Sequence, residues 1–209
     1  MQHAAPRGTQ GYAEEAETLV PRYEAMTFAQ VHASVLHLLP PAPARVIDIG
    51  AGSGRDAAHL ASLGHDVLAV EPTDALREPG RKLHPSGRIT WLADSLPGLN
   101  SVRARKQAFD LIMMTAVWMH LDEAEREEAM PNVASLARPG GRIFMAVRHG
   151  PVPKGRRMFE IPAEDIIEQA RAQKLGLLFH EDSASIQATN QAMGVAWTRL
   201  VFERERGEP

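Results

Sequence analysis

The sequence predicts one doubly wound α/β domain: a seven-stranded sheet, mostly parallel, with an antiparallel hairpin strand at its C-terminal end. Three observations carry this. From residue 45 onward, five short β-branched and aliphatic runs alternate with helical stretches, and strands that read as continuous apolar runs belong to parallel sheets covered on both faces. The first run opens into a glycine turn that starts a helix. The last two strands have only a polar loop between them, so they should pair antiparallel.

Residues 1–11 are polar and rich in Gly and Gln. A helix is expected over residues 13–20, with Pro21 ending it or marking a second start. Thr27 followed by Gln30 fits a capping box, and Phe28, Val31, Val35 and Leu38 share one face of the next helix. Pro40-Pro41-Ala42-Pro43 closes this section, so residues 1–44 are expected as a helical lid ahead of a domain at 45–205. The first strand, Val46-Ile47-Asp48-Ile49, leads to a helix near 55–63 carrying Ala58, Leu60, Ala61 and Leu63. Val67–Val70, Ile89–Leu92 and Phe109–Thr115 are the next three strands. Asp122 and Glu125 start a helix that Pro131 should kink or split. The turn Arg138-Pro139-Gly140-Gly141 then enters a fifth strand, Arg142–Val147. The last helix ends at Lys174 or Gly176, and Leu177–His180 and Val195–Phe202 form the closing hairpin.

Composition removes several classes of function. A chain of 209 residues buries enough surface to hold a core without staples. It has no cysteine, which excludes disulfide scaffolds, thiolate catalysis, Cys-ligated zinc and iron–sulfur clusters. Its longest apolar runs have four to six residues, against the ~20 a membrane helix needs, so no membrane partner is expected. The first eight residues lack an apolar stretch of signal-peptide length, which makes a cytoplasmic location the expectation. With 23 basic and 26 acidic residues, no global field draws the chain to nucleic acid. Three Trp, two Tyr and six Phe are too few for a platform that stacks single strands. His32, His37, His59, His65, His84 and His180 lack ligand spacing, and no metal is expected.

The segment Asp48-Ile49-Gly50-Ala51-Gly52-Ser53-Gly54-Arg55-Asp56 follows a buried strand and opens a helix. Its glycines let the backbone turn sharply and let a ligand reach the main chain. The helix beyond them offers unpaired N–H groups and partial positive charge to an anionic group. A dinucleotide turn needs a small residue at its sixth position, where Arg55 stands. Glu71 ends the second strand and can accept both hydroxyls of a ribose diol, one per oxygen. Asp94 follows the third strand and serves either a ligand or a helix as its cap. Asp48, Glu71 and Asp94 thus fall at the C-terminal ends of successive strands, which line the crevice of an open α/β sheet.

This glycine spacing, with an acid two residues before Gly50, resembles the turn of the class I S-adenosylmethionine-dependent methyltransferases. The resemblance covers residues 45–203, including the fourth strand and the Pro139-Gly140-Gly141 turn. It implies a Rossmann-like sheet with the seventh strand reversed between the fifth and sixth, and S-adenosyl-L-methionine as cofactor. It further implies that Gly50, Gly52 and Gly54 shape the pocket and that Asp48 helps hold the amino-acid end of the cofactor. Glu71 would bind the ribose, and Asp94 with Ser95 the adenine. Ala51, Pro72 and Thr115 are counted with these as cofactor contacts.

Methyl transfer from a sulfonium is mainly a matter of holding a nucleophile in line with the methyl carbon at ~3 Å. A general base matters only where the acceptor loses a proton. The acceptor side is expected in the loops after the fourth and fifth strands and in the N-terminal segment. Trp118 either walls the sulfonium or an apolar substrate, or packs in the core. His120 either orients a substrate hydroxyl or amine, or caps the following helix. Arg148, His149, Lys154, Arg156 and Arg157 are either a solvated loop or a clamp for an anionic acceptor, with His149 as general base. The catalytic candidates are therefore His149, Arg148 and His120, and the substrate-binding ones Tyr12, Tyr23, Trp118, Arg156 and Arg157. The expected function is methyl transfer to a small molecule by a monomer or homodimer. An RNA or protein methyltransferase and a non-catalytic cofactor-binding protein are the alternatives.

Overall fold

The computed structural model describes residues 6–207. Its strands are β1 (Arg45–Ile49), β2 (Asp66–Val70), β3 (Ile89–Leu92), β4 (Phe109–Thr115), β5 (Ala137–His149), β6 (Leu175–Ala184) and β7 (Ala196–Arg204). They form a single sheet in the order β3-β2-β1-β4-β5-β7-β6. The pairs β1·β2, β1·β4, β2·β3 and β4·β5 are parallel, while β7 runs antiparallel to both β5 and β6. The last strand is thus reversed and inserted between the fifth and sixth, as expected.

Successive side chains of a strand point to opposite faces, and here both faces are buried. Ile47, Ile49, Leu68, Val70, Ile112 and Met114 face one apolar layer. Val46, Val67, Ala69, Leu111 and Met113 face the other. The helices are α1 (Ala16–Glu24), α2 (Phe28–Val31), α3 (Arg55–Ser62), α4 (Asp74–Leu83), α5 (Asn100–Ala104), α6 (Glu123–Leu136), α7 (Ala163–Ala172) and α8 (Ala188–Ala192). Val133 of α6 and Ile166 of α7 fill the first layer, and Phe28 of α2 with Ala57 and Leu60 of α3 fill the second. Burial on both sides is what made the strands read as unbroken apolar runs.

Several boundaries differ from expectation. Helix α1 starts at Ala16 and runs through Pro21 to Glu24. The proline forfeits one backbone bond, but Ala16 and Leu19 pack against Leu76 of α4, and that burial holds the turn. The capping box at Thr27 is present, with Gln30 N–H donating to Thr27 Oγ1 at 3.2 Å and Thr27 N–H to Gln30 Oε1 at 2.8 Å. It starts only one α-turn, after which Ala33–Leu38 tightens to a 3-10 helix. Helix α6 continues unbroken through Pro131, flanked by the buried Met130 and Val133. The turn before the fifth strand is a bulge inside β5: the register passes from Phe109↔Ala137 to Leu111↔Arg142, and Gly140 takes a φ of 75°. Lys174, at φ 60°, ends the turn after α7, which leaves Gly176 inside β6. The expected polar loop of the final hairpin contains α8.

Candidate functional site

The C-terminal ends of β1, β2, β4 and β5 open into a cavity of about 580 Å³. Asp48, Gly50, Ala51, Gly52, Glu71 and Pro72 line one end of it, with Asp94, Ser95 and Thr115. The turn after β1 is tight because of its glycines. A Cβ on Gly50, whose φ is 75°, would sit 2.5 Å from Cγ2 of Val117. Gly54 does not line the cavity; it precedes α3 with a left-handed φ of 86°. A Cβ there would meet the Trp91 ring at 2.6 Å, so this glycine serves packing under the turn.

Glu71 Oε2 accepts the Gly52 N–H at 2.9 Å and Oε1 accepts the Thr73 N–H at 2.8 Å. The two amides fix the carboxylate while each oxygen retains a second lone pair. Burial pushes the Glu71 pKa up, and the two N–H groups oppose the shift. Asp48 is different: its Oδ2 is buried and has no hydrogen-bond partner among the described residues. Burial, followed by the neighbouring Asp56 carboxylate, holds its pKa well above the usual carboxylate range. Asp56 is also buried, yet His32 Nε2 at 2.8 Å and Arg55 Nε at 2.7 Å keep its pKa below that range. Asp94 spends one oxygen on the Ser95 N–H and the other on the Val102 N–H, both at 2.9 Å. It therefore caps α5 while it borders the cavity.

Tyr12, His120, Arg148 and Arg156 also line the cavity, and the Tyr23 ring lies over the glycine turn, 3.5 Å from where a Cβ on Gly52 would stand. Tyr12 Oη lies 2.8 Å from His120 Nε2. The Arg156 guanidinium sits 3.8 Å over the Tyr12 ring and pairs with Glu15 at 2.8 Å. Burial pushes the Tyr12 pKa up to about 12. Arg148 donates to the Pro151 carbonyl at 3.0 Å, and no carboxylate among the described residues is within ion-pair distance of it. Burial lowers its pKa.

Comparison with known proteins agrees with this geometry. Residues 46–141, the stretch with the glycine turn, Glu71 and Asp94, match a family model described as a methyltransferase domain. Over that stretch the chain is similar to a methyltransferase domain. An uncharacterized methyltransferase of Mycobacterium tuberculosis is 35% identical over 108 residues, covering 51% of this chain and 40% of that protein. The chain spans about two fifths of the length of the first curated relatives it matches. A Burkholderia thailandensis 1,6-didemethyltoxoflavin-N1-methyltransferase, solved with its substrate and S-adenosylhomocysteine, superposes with a TM-score of 0.71 at 19% identity, covering 93% of this chain and 85% of that one. A TehB-like methyltransferase from Corynebacterium glutamicum gives 0.69 at 22% identity, with 92% and 99% covered. These two likenesses concern the fold.

Three expected acceptor-side residues lie away from the cavity. Trp118 is fully buried in the core layer and does not reach the cavity, because the 3-10 turn Trp118–His120 directs it beneath the sheet ends. His149 also misses the cavity. On β5, Ala146 and Arg148 face it, and strand alternation sends His149 the other way. There Nδ1 lies 2.9 Å from Glu160 Oε2, and Nε2 lies 2.9 Å from Thr198 Oγ1. Both ring nitrogens are thus engaged by these partners, away from the cavity, which removes His149 as the base for an acceptor bound there. Arg157 is spent on Asp122 and Glu125, at 2.5 and 2.6 Å, which fixes its loop and removes it from the clamp.

Other cavity residues escaped the sequence reading. Trp197 and Arg199 of β7 line it, as do Ser185 and Met193 beside α8. The alternation Trp197, Arg199 on one strand face was the available signal. Among the described residues, no group of three or more His, Asp or Glu could hold a metal ion, and no helix is long and apolar enough to cross a membrane.

Proposed function

We propose that this chain transfers a methyl group from S-adenosyl-L-methionine to a small acceptor carrying an anionic group. The supporting observation is that one cavity joins the unpartnered Oδ2 of Asp48 to the Arg148 guanidinium, which has no carboxylate partner among the described residues. A buried carboxylate oxygen with nothing to accept from suits an ammonium donor. Asp48 would receive the amino group of the cofactor, Glu71 the ribose hydroxyls, and Asp94 with Ser95 the adenine. When bound, the cofactor supplies an activated methyl group. The chain's own work is to bind, to orient and to keep water out.

Residues 1–44 would act as a lid over the domain at 45–205. Glu24 Oε1 accepts the Ser53 hydroxyl at 2.6 Å and lies 3.2 Å from His84 Nε2, fastening α1 to the glycine turn. The size of the cavity favours a small-molecule substrate.

Calorimetry should show binding of S-adenosylhomocysteine and none of NADH. Arg148→Ala should then raise KM for small carboxylate acceptors about tenfold or more, the loss of a charge-assisted contact, with S-adenosylhomocysteine affinity unchanged. Binding without transfer to any small carboxylate would instead mark a protein that holds the cofactor without using it. Deleting residues 1–26 should weaken S-adenosylhomocysteine binding more than it lowers Tm. The reverse result would reduce the segment to ordinary packing.

A further inference from the structure

Tyr12 and His120 stand 108 residues apart in sequence, yet their side chains meet at the acceptor end of the cavity. The far side of the imidazole fixes its tautomer. His120 Nδ1 lies 2.7 Å from the Arg157 carbonyl oxygen, which can only accept, so Nδ1 carries the hydrogen. In the neutral ring Nε2 is then a lone pair, and the Tyr12 hydroxyl donates to it. Resting on the methyl-transfer reading above, we infer that Tyr12 and His120 form a proton relay for an acceptor whose nucleophilic atom bears a proton. That acceptor is a hydroxyl, phenol or N–H compound with an anionic group within reach of Arg148.

The electron and proton count closes. The acceptor atom forms a bond to the methyl carbon, the carbon–sulfur bond breaks, and its electron pair stays on sulfur. The acceptor's proton passes to Tyr12 Oη while the Tyr12 proton moves to His120 Nε2, so no free tyrosinate forms. This matters because burial makes the isolated phenol a very weak acid. Water then takes the proton from His120. The ring is suited to release it. Burial first, and then the Arg156, Arg157 and Arg148 guanidinium groups, push its pKa down against the opposing hydrogen bond to the Arg157 carbonyl.

The charged and titratable groups around His120 come from four elements. Tyr12 comes from the N-terminal segment, Arg148 from β5, and Arg156 and Arg157 from the loop after β5. Asp122 and Glu125 at the start of α6 neutralise Arg157, and Arg7 approaches Asp122 at 3.6 Å. The nearest carboxylates are thus occupied by arginines. Tyr12 is the catalytic residue in this scheme, and His120 acts behind it.

The test compares the wild-type chain with Tyr12→Phe and His120→Gln on two kinds of probe. Hydroxybenzoates carry a proton on the accepting oxygen; pyridine carboxylates have a bare ring nitrogen. Wild type should methylate hydroxybenzoates, and both substitutions should lower kcat roughly a hundredfold, within the usual range for general-base catalysis. KM and S-adenosylhomocysteine affinity should change little. In wild type kcat should fall on the acid side as Nε2 becomes protonated, and that limb should vanish in His120→Gln. Nitrogen-15 NMR of the S-adenosylhomocysteine complex should show a bare Nε2 on His120 at neutral pH, with its signal moved in Tyr12→Phe.

A protonated Nε2 at neutral pH would overturn the relay. So would a His120→Gln enzyme that keeps both kcat and the acid limb. Transfer to pyridine carboxylates alone, or to neither probe while the cofactor binds, would overturn the acceptor class. If wild type failed to bind S-adenosylhomocysteine at all, the methyl-transfer reading itself would fall, a result recognisable before any acceptor is added.

Discussion

Asp48→Asn is expected to make the ligand-free protein more stable and, at the same time, to weaken its hold on S-adenosylhomocysteine. The native carboxylate is 2% exposed, its Oδ2 has no partner among the described residues, and the Asp56 carboxylate lies nearby. Its folded pKa is raised above the unfolded value, so the stability it contributes is fully present below the unfolded pKa and is lost as pH rises through the folded one. Above the unfolded value the buried carboxyl is therefore a cost to the fold. Removing it should recover on the order of 1–2 kcal/mol, which raises Tm by about 4 °C in a chain of this length. The gain should shrink on acidification and disappear where Asp48 is protonated in both states. The ligand loses a charged hydrogen-bond partner, and its dissociation constant should rise about 10- to 100-fold. Calorimetric melting across pH, with and without S-adenosylhomocysteine, reads both effects. A lower Tm at every pH, or an unchanged affinity, would remove Asp48 from the proposed cofactor site.

Neutralising the second carboxylate should act with the opposite sign on stability. Glu71 holds the Gly52 and Thr73 amides, one on each oxygen. Glu71→Gln keeps one accepting oxygen but turns an NH₂ group toward the other amide, leaving a buried N–H without a partner. That costs roughly 1–3 kcal/mol, and Tm should fall by several degrees. The glycine turn loses its anchor, the ribose loses an acceptor, and S-adenosylhomocysteine should bind about a hundredfold more weakly, each missing charged bond contributing roughly 1.5–3 kcal/mol. Both substitutions weaken binding, but only Asp48→Asn should stabilise the empty protein. If the two moved Tm in the same direction, the division of labour between a carboxylate held through both oxygens and one with a bare Oδ2 would be wrong.

The parts of this molecule that were legible in the sequence are those where local chemistry and tertiary environment agree. Strands β1, β2 and β4 are buried on both faces, so their composition alone announced them. The turn at 50–54 was legible because glycine's permissive backbone is needed there. The acceptor end was much less legible, for geometric reasons. Nothing in Arg148-His149 tells which residue faces the cavity, since both faces of β5 are covered and the phase of its alternation is hidden. Trp118 was open between wall and core because one residue of rotation in a 3-10 turn decides it. The Tyr12–His120 contact joins segments that no local rule connects. Proline was over-weighted in α1 and α6, where packing of Leu19 and Met130 outweighs one lost backbone bond.

The cavity's two ends come from different stretches of chain. The end around the glycine turn is built from residues 48–115, inside the matched segment, as is His120, whereas Tyr12, Tyr23, Arg148, Arg156, Trp197 and Arg199 all lie outside it. Natural drift can therefore retune the mouth without touching the grip on the donor, and a designer can do the same by grafting flanks. Chimeras that exchange residues 6–31 and 146–199 between relatives should trade preferences while inheriting the same engine.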